Sequence, residues 1–329
     1  MIITRTPYRV SFFGAEPRDK SYSGNNFGAT ISATINKYCN ISIKKLPSFY
    51  NHKHRLVYSQ TELVETISEI QHPVIKAVME EFNNELDGIG YEVQHTGDLP
   101  AKSGVGSDSA FTVGLVNAFL ATLGQISSKK KLADLAIKIQ QDILGEPIAL
   151  QDPILSAFGG FNRIDFKVGG QYTIEKIKIK YDRLKILNSH LILFYTGRTK
   201  LNSSDLVDTK LKEAQEREKL KFIQPLIDEA IQILLNEETD IKQFGLLLDV
   251  VWKYNRSQIP ILDDSFHNIL YNKAIQTGAL GGKVLGGDKA GFMMFFAPPA
   301  CHKNLISKLP ELIHIPFQFE DSGSHTVHF

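Results

Sequence analysis

The chain has 329 residues, of which 43% are hydrophobic and 22% are charged, and its formal net charge is +1. This composition is typical of a globular protein with a sizeable core, and the length alone suggests two domains. The balanced charge excludes a global field that would point to nucleic acid or an anionic membrane as a partner.

Strands dominate the predictions for the first hundred residues. β-Branched and aromatic residues recur in five short runs, at 2–6, 8–13, 27–34, 38–43 and 91–95. Residues 62–83 have a helical pattern in two pieces, interrupted near His72-Pro73. His52 and His54 lie in a polar segment, and we expect both side chains to be solvated.

From residue 100 onward, helices and strands are predicted in mixed order. Predicted helices follow the loop at 100–110, cover 130–144, precede Phe158, and cover 205–235, 241–256 and 264–277. Predicted strands cover 161–166, 172–179, 191–195 and 292–296, and residues 278–291 are rich in glycine. This mixture favours an α+β fold over a doubly wound sheet.

The two cysteines, Cys39 and Cys301, have neither metal-ligand spacing nor a disulfide framework, which favours a reduced cytoplasmic setting. The sequence has no H-E-x-x-H or paired C-x-x-C motif, so a zinc site is not expected. No apolar run approaches the roughly 20 residues of a membrane-spanning helix. The N-terminus also lacks the basic flank and apolar core of a signal peptide. These features predict a cytoplasmic protein.

The segment from Pro100 to Ala110 is a small polar loop containing Gly104 and Gly106, and a helical pattern begins directly after it. Such a loop presents unpaired backbone N–H groups and the positive end of a helix dipole. This arrangement binds anions, most often phosphate. The alternative is an ordinary core helix with a serine N-cap.

Two charged side chains are candidates for chemistry near such a phosphate. Asp152 follows a turn and precedes a short helix, where a fixed carboxylate is suited to take a proton from an attacking hydroxyl. The alternative role for Asp152 is an N-cap. Arg9 lies in an apolar strand, which is unusual for arginine, and either neutralises a transferred phosphate or forms a buried ion pair.

Three motifs in order give the chain a resemblance to the GHMP kinases, the family of galactokinase, homoserine kinase, mevalonate kinase and phosphomevalonate kinase. They are Thr6-Pro-Tyr-Arg-Val-Ser-Phe-Phe-Gly14, the loop from Pro100 to Ala110, and the segment from Gly281 to Phe292. Shorter matches at 35–39, 145–147, 151–152 and 158–162 resemble the D-glycero-D-manno-heptose 7-phosphate kinases within this family.

The resemblance implies an α+β, two-domain GHMP kinase fold. The N-terminal domain, expected at residues 1–180, would resemble ribosomal protein S5, and the C-terminal domain, at 181–329, would be ferredoxin-like. The implied cofactors are ATP and Mg²⁺. The implied reaction transfers the γ-phosphoryl group to the anomeric hydroxyl of heptose 7-phosphate and gives the 1,7-bisphosphate, within GDP-heptose and surface polysaccharide synthesis. The expected partners are ATP and a sugar phosphate, without nucleic acid or membrane, in a monomer or homodimer.

The resemblance also implies roles for individual residues. Asp152 corresponds to the family's catalytic aspartate and Arg9 to the basic residue of the first motif. The ATP phosphates are expected to contact Lys102, Ser103, Gly104, Val105, Gly106, Ser107, Asp108, Ser109 and Ala110. The substrate-binding candidates are Arg18, Asp19, Lys37, Gln151, Arg198, Gly286 and Gly287. The candidate metal ligands are Asp108, Ser109 and Asp142.

All three motifs depart from the family pattern. The first motif usually continues as Gly-Gly-Gly-Thr-Asp, but here it reads Gly14-Ala-Glu-Pro-Arg-Asp19, and in the second motif Asp108 replaces a serine. The third motif is usually Gly-Ala-Gly-Gly-Gly-Gly-Phe, but here it reads Gly286-Gly-Asp-Lys-Ala-Gly-Phe292. Side chains in place of such glycines cost about 1–2 kcal/mol each. Asp108 adds a negative charge beside the triphosphate unless it binds Mg²⁺. An alternative function therefore stays open, in which a catalytically impaired chain with this fold binds a sugar phosphate or a protein partner.

Overall fold

The computed structural model describes residues 1–15, 28–197, 209–257, 266–286 and 291–328. The strands are β1 (Ile2–Ala15), β2 (Ala29–Leu46), β3 (His54–Val57), β4 (Thr61–Val64), β5 (Gly90–Gly97), β6 (Phe161–Phe166), β7 (Tyr172–Lys176), β8 (Leu191–Tyr195), β9 (Gly281–Leu285), β10 (Phe292–Phe296), β11 (Ile313–Ile315), β12 (Phe319–Glu320) and β13 (His325–His328). The helices are α1 (Pro73–Glu81), α2 (Ser107–Thr122), α3 (Lys129–Ile137), α4 (Gln151–Phe158), α5 (Tyr181–His190), α6 (Thr209–Leu235), α7 (Lys242–Ser257), α8 (Phe266–Gln276) and α9 (His302–Lys308). A π-helical turn, Lys138–Ile143, follows α3.

The long strand β2 organises the first sheet. It pairs with β1 along most of its length on one side. On the other side it pairs in turn with β6, β12 and β5. β3 adds to β5 in parallel and β4 extends the sheet beyond it. Helices α2 and α4 pack on β1 and β2, so the loop at 100–106 and the start of α4 meet over the middle of these two strands.

The second sheet has the order β11-β8-β10-β9 and is antiparallel. Aromatic side chains join it to the first sheet. The ring of Phe12 on β1 stacks on Phe161 at 5.2 Å and meets the edge of Phe244 on α7 at 5.4 Å. Phe244 in turn packs on Phe296 of β10. Buried aromatic pairs of this kind stabilise by more than their buried area alone, and here they fix β1 beside the second sheet.

The C-terminal strands return to the first sheet. β12 pairs with β2, and β13 pairs with the start of β1. The division into domains at residues 1–180 and 181–329 remains a prediction, and we propose that the last strands belong structurally with the first sheet.

Several predicted elements differ from the observed ones. The two predicted N-terminal strands are one strand, β1, with irregular pairing at two points. The first half of the predicted helix at 62–83 is wrong, because Thr61–Val64 pairs with β3 as an edge strand and only Pro73–Glu81 is α-helical. Sheet pairing here overrides a local helical pattern. Helices α5 and α9 were not predicted.

The prediction that His54 is solvated is also wrong. His54 lies on β3 and is 2% exposed, and its Nδ1 accepts a hydrogen bond from Tyr91 N at 3.3 Å. Burial, together with the charge of Lys53, lowers the pKa of this imidazole to about 4. His54 is therefore a neutral structural side chain.

No helix in the described part of the chain is both long and apolar enough to span a bilayer.

Candidate functional site

The residue at the N-cap position of α2 is Gly106. It has a left-handed backbone, at φ 75°, and no side chain with which to cap the helix end. The alternative of a serine N-cap is therefore wrong. Ser107 lies inside the helix, and its Oγ accepts a hydrogen bond from Lys102 N at 3.0 Å. The uncapped N–H groups and the helix dipole together favour an anion at this loop.

Arg9 and Asp152 form a two-pronged ion pair beside the loop. Arg9 Nε donates to Asp152 Oδ1 at 2.7 Å, and Arg9 Nη2 donates to Asp152 Oδ2 at 2.8 Å. Their side chains are 4% and 14% exposed. Bidentate arginine–carboxylate pairs of this kind are strong and fixed in orientation. The structure thus brings together the two side chains predicted to be catalytic.

The same arginine is bonded to the loop. Arg9 N donates to Val105 O at 3.0 Å, and Arg9 Nη1 donates to Gly104 O at 3.0 Å. A Cβ atom on Gly106 would lie 3.2 Å from Arg9 Cγ and 3.6 Å from Asp152 Cγ. The loop is therefore packed directly against the ion pair, and an anion held by the loop would lie next to both charges.

Asp152 is the second residue of α4, and the residue before the helix is Leu150, so the N-cap role considered for Asp152 is wrong. The first residue of α4, Gln151, is also tied to the sheet. Its Oε1 accepts a hydrogen bond from Ser32 Oγ at 2.8 Å. Ser32 lies opposite Ser11 in the β1–β2 pairing. Gln151, a predicted substrate-binding residue, therefore faces the same strands as the ion pair.

Acidic groups surround the start of α2. Asp108 is exposed there, and partial desolvation raises the pKa of its carboxyl, with the charge of Asp152 adding to the rise and that of Lys102 opposing it. Desolvation and the charge of Asp108 likewise raise the pKa of Glu146. Two carboxylates that repel each other beside a phosphate loop fit a divalent cation, because Mg²⁺ in proteins typically takes one or two carboxylates together with phosphate oxygens.

The other two predicted metal ligands have different surroundings. Ser109 Oγ donates to Gln140 Oε1 at 3.0 Å, and both residues are buried. Asp142 is exposed on the π-helical turn. Within the described ranges, no cluster of three or more His, Cys, Asp or Glu side chains is arranged to hold a metal ion. Glu146 was not predicted; its position in the turn that leads to Asp152 was the available signal.

The third glycine-rich segment touches the loop through its backbone. Gly286 has φ 85°, and a Cβ atom placed on it would lie 2.3 Å from Gly104 Cα. Gly291 N donates to Ser103 O at 3.0 Å. All three sequence motifs therefore meet at one place. Glycine at 286 is required both by the backbone conformation and by this close approach.

The remaining predicted substrate residues are not brought to this place by the described structure. Lys37 is half-buried on β2, next to the irregular pairing at Pro7 and Tyr8. The other predicted residues, Arg18, Asp19, Arg198 and Gly287, lie outside the described residues.

Comparison with known proteins gives a consistent result. Residues 59–160 match the family model of the GHMP kinases N terminal domain. D-glycero-alpha-D-manno-heptose 7-phosphate kinase of Campylobacter jejuni is 24% identical over 319 residues, which cover 94% of this chain and 93% of the relative. Mevalonate kinase of Pyrococcus horikoshii is 27% identical over 255 residues, covering 74% and 70%.

A solved structure covers the whole fold. The crystal structure of a D-glycero-D-manno-heptose 1-phosphate kinase from Bacteroides thetaiotaomicron superimposes with a TM-score of 0.79 at 22% identity, covering 100% of this chain and 99% of the other. The resemblance to GHMP kinases and the α+β GHMP kinase fold, both expected from the sequence, are confirmed.

Proposed function

We propose that this protein is an ATP-dependent sugar-phosphate kinase. Its acceptor is the anomeric hydroxyl of D-glycero-D-manno-heptose 7-phosphate, and its product is the 1,7-bisphosphate. The observation that carries the proposal is the Arg9–Asp152 pair packed against the uncapped loop before α2. The full-length similarity to the Campylobacter jejuni heptose 7-phosphate kinase supports this choice of acceptor.

The proposed roles follow from the contacts of the ion pair. The backbone of the loop from Lys102 to Ala110 binds the ATP phosphates, and Arg9 counters charge on the transferred group. The acceptor hydroxyl oxygen attacks the γ-phosphorus, and its proton passes to the carboxylate of Asp152. The bond from the γ-phosphorus to the β–γ bridging oxygen breaks, and its electron pair leaves with ADP. Arg9 holds both oxygens of Asp152, which fixes the direction in which the carboxylate faces.

Asp108 and Glu146 would hold Mg²⁺ in this proposal, and the ion would supply neutralisation of the negative charge of the ATP phosphates. Asp108 then contributes an oxygen ligand and does not repel ATP. Ser109 is buried and bonded to Gln140, whereas Glu146 is half-buried and offers an anionic oxygen, which makes Glu146 the better ligand candidate.

Replacing Glu146 tests this assignment. We expect Glu146→Gln to raise the Mg²⁺ concentration for half-maximal activity by about tenfold or more, because one anionic oxygen ligand is lost. Mn²⁺ binding in the presence of ATP, followed by electron paramagnetic resonance, should weaken in parallel. Asp142→Asn is the matched variant on the nearby exposed turn. If Asp142→Asn weakens Mn²⁺ binding and Glu146→Gln does not, Asp142 is the ligand.

Metal binding should also depend on pH. Because the carboxyl pKa values of Asp108 and Glu146 are raised, protonation begins at a higher pH than for ordinary carboxylates. A protonated carboxyl is a poor ligand, so Mn²⁺ affinity should fall as the pH is lowered, and this fall should begin at a lower pH in Glu146→Gln.

The alternative of a catalytically impaired binding protein is favoured by one observation, the negative charge of Asp108 near Asp152 at the phosphate loop. Both functions are tested by titrating Mg·ATP by calorimetry and then measuring ADP release with heptose 7-phosphate in the same sample. Saturable ATP binding with turnover supports the kinase. Binding of heptose 7-phosphate without ATP binding or turnover supports the alternative.

A further inference from the structure

Lys283 lies on β9, yet its amine reaches the first sheet. Nζ donates to Phe12 O at 3.0 Å and to Ser11 Oγ at 3.2 Å, and both partners belong to β1. The side chain keeps partial exposure, although its neighbours along β1 and β10 are largely buried. An ammonium group has three N–H donors, and the two oxygens that it meets are neutral. In the described part of the chain no carboxylate forms an ion pair with it.

Among the described residues, the charges that act on Lys283 are positive. Burial is the main cause that lowers the pKa of its amine, to about 7, and the charges of Lys219 on α6 and Arg9 on β1 lower it further. Asp152 is linked to this place by its ion pair with Arg9. Both oxygens of its carboxylate already accept hydrogen bonds from the Arg9 guanidinium. Lysine amines enclosed by protein are rare unless a negative group compensates them. This place therefore favours an anionic ligand.

The β1 contacts of Lys283, at Ser11 and Phe12, lie beyond Arg9 in the direction of the strand's end. The loop contacts β1 at Arg9, and from there α2 runs back along β1 to Thr4, whose Oγ1 donates to Gly114 O at 2.9 Å. Ser11 is two residues beyond Arg9 in the opposite direction, which is about 6.6 Å along a strand. In the proposed reaction the ATP phosphates lie on the loop and Asp152 lies beside the transferred group. The acceptor sugar then lies beyond Asp152, on the side of Ser11.

We propose that Lys283 is a specificity-determining residue that binds the phosphate group already carried by the acceptor sugar, with Ser11 beside it. This inference rests on the proposed kinase function and extends it to a residue outside the predicted substrate site. Lys283 would then select phosphorylated sugars over neutral ones, because only the former supply the missing negative charge.

Direct binding of the acceptor tests this role without requiring turnover. Heptose 7-phosphate would be titrated by calorimetry into the wild type, Lys283→Met and Lys283→Arg, each in the presence of a non-hydrolysable ATP analogue. We expect Lys283→Met to weaken acceptor binding by about 10- to 100-fold, the effect of losing a charge-assisted hydrogen bond. Affinity for the ATP analogue should change by less than about threefold.

Lys129→Met is the matched control for the loss of an enclosed lysine. Lys129 Nζ donates to Ser324 O, and burial lowers the pKa of this amine as well, but it lies on α3 away from the ion pair. We expect Lys129→Met to leave acceptor affinity unchanged. Thermal unfolding of both variants verifies that each is folded under the conditions of the titration.

The pH dependence of acceptor affinity is a further test, because a lysine with a purely structural role would not change it. Between pH 7 and 8.5 the wild type should lose about tenfold in affinity for heptose 7-phosphate as Lys283 deprotonates. Lys283→Arg should bind with little change over this range, because arginine keeps its charge.

Each contrary outcome overturns a defined part of the proposal. Unchanged acceptor affinity in Lys283→Met, or an equal loss for the ATP analogue, overturns the role of Lys283 and leaves the kinase intact. Absence of heptose 7-phosphate binding by the wild type overturns both this inference and the proposed acceptor.

Discussion

Asp152→Asn should bind Mg·ATP almost as well as the wild type and transfer phosphate about 10²- to 10⁴-fold more slowly. Asparagine keeps the size of aspartate but has no basic oxygen for the acceptor proton. Its amide also offers one acceptor oxygen to Arg9, where the carboxylate offers two at 2.7 and 2.8 Å. Single-turnover phosphoryl transfer, measured with saturating ATP and acceptor, isolates this effect from binding.

The control for this variant is a carboxylate that is buried and paired but remote from the loop. Glu92 on β5 is 7% exposed and pairs with Arg55 at 3.0 Å and Lys44 at 3.2 Å. Glu92→Gln should reduce the free energy of unfolding by about 1–3 kcal/mol, because two cations lose their anion, and should leave the transfer rate within about twofold. If both variants slow transfer equally, Asp152 acts through general stability and is not the base.

Local sequence patterns predicted several strands of both sheets correctly. Strands at Phe161–Phe166, Leu191–Tyr195 and Phe292–Phe296 have the predicted bounds. The last two are short, largely buried apolar runs, and the first combines three buried apolar residues with polar ones. The first half of the helix predicted at 62–83 is wrong because Thr61–Val64 forms a hairpin with the neighbouring strand β3. This hairpin is held in the sheet by the pairing of β3 with β5, a contact between residues distant in sequence that a local pattern does not show.

The functional site also combines residues that the sequence identified with contacts that it could not predict. Arg9 and Asp152 were identified as candidates from residue type, position and family resemblance, but their contact joins residues 143 positions apart. Lys283 was overlooked because its partner Ser11 is 272 positions away. Glu146 was overlooked because Asp142 was the nearer acidic residue to the expected position, and only the fold brings Glu146 near enough to Asp108 for that charge to raise its pKa.

A single methyl group at position 286 should disrupt the whole site. We expect Gly286→Ala to lower the free energy of unfolding by about 2–5 kcal/mol, because the new Cβ would lie 2.3 Å from Gly104 Cα and 2.9 Å from Gly104 O. These are backbone atoms, and their positions are held by the bonds from Arg9 Nη1 to Gly104 O and from Gly291 N to Ser103 O. Relief of the clash therefore displaces the loop, and ATP affinity should fall by tenfold or more.

Gly124→Ala separates this clash from the cost of the backbone conformation. Gly124 follows α2 with φ 70°, close to the 85° of Gly286, but a Cβ atom there would meet nothing within 4 Å. Gly124→Ala should lose only the about 1–2 kcal/mol that alanine costs in the left-handed region, with unchanged ATP affinity. Chemical denaturation of both variants, followed by ATP titration, gives the comparison. Equal losses would mean that the loop adjusts freely to the third segment. A larger loss in Gly286→Ala means that the close approach of the two backbones is what holds the phosphate loop in its binding shape.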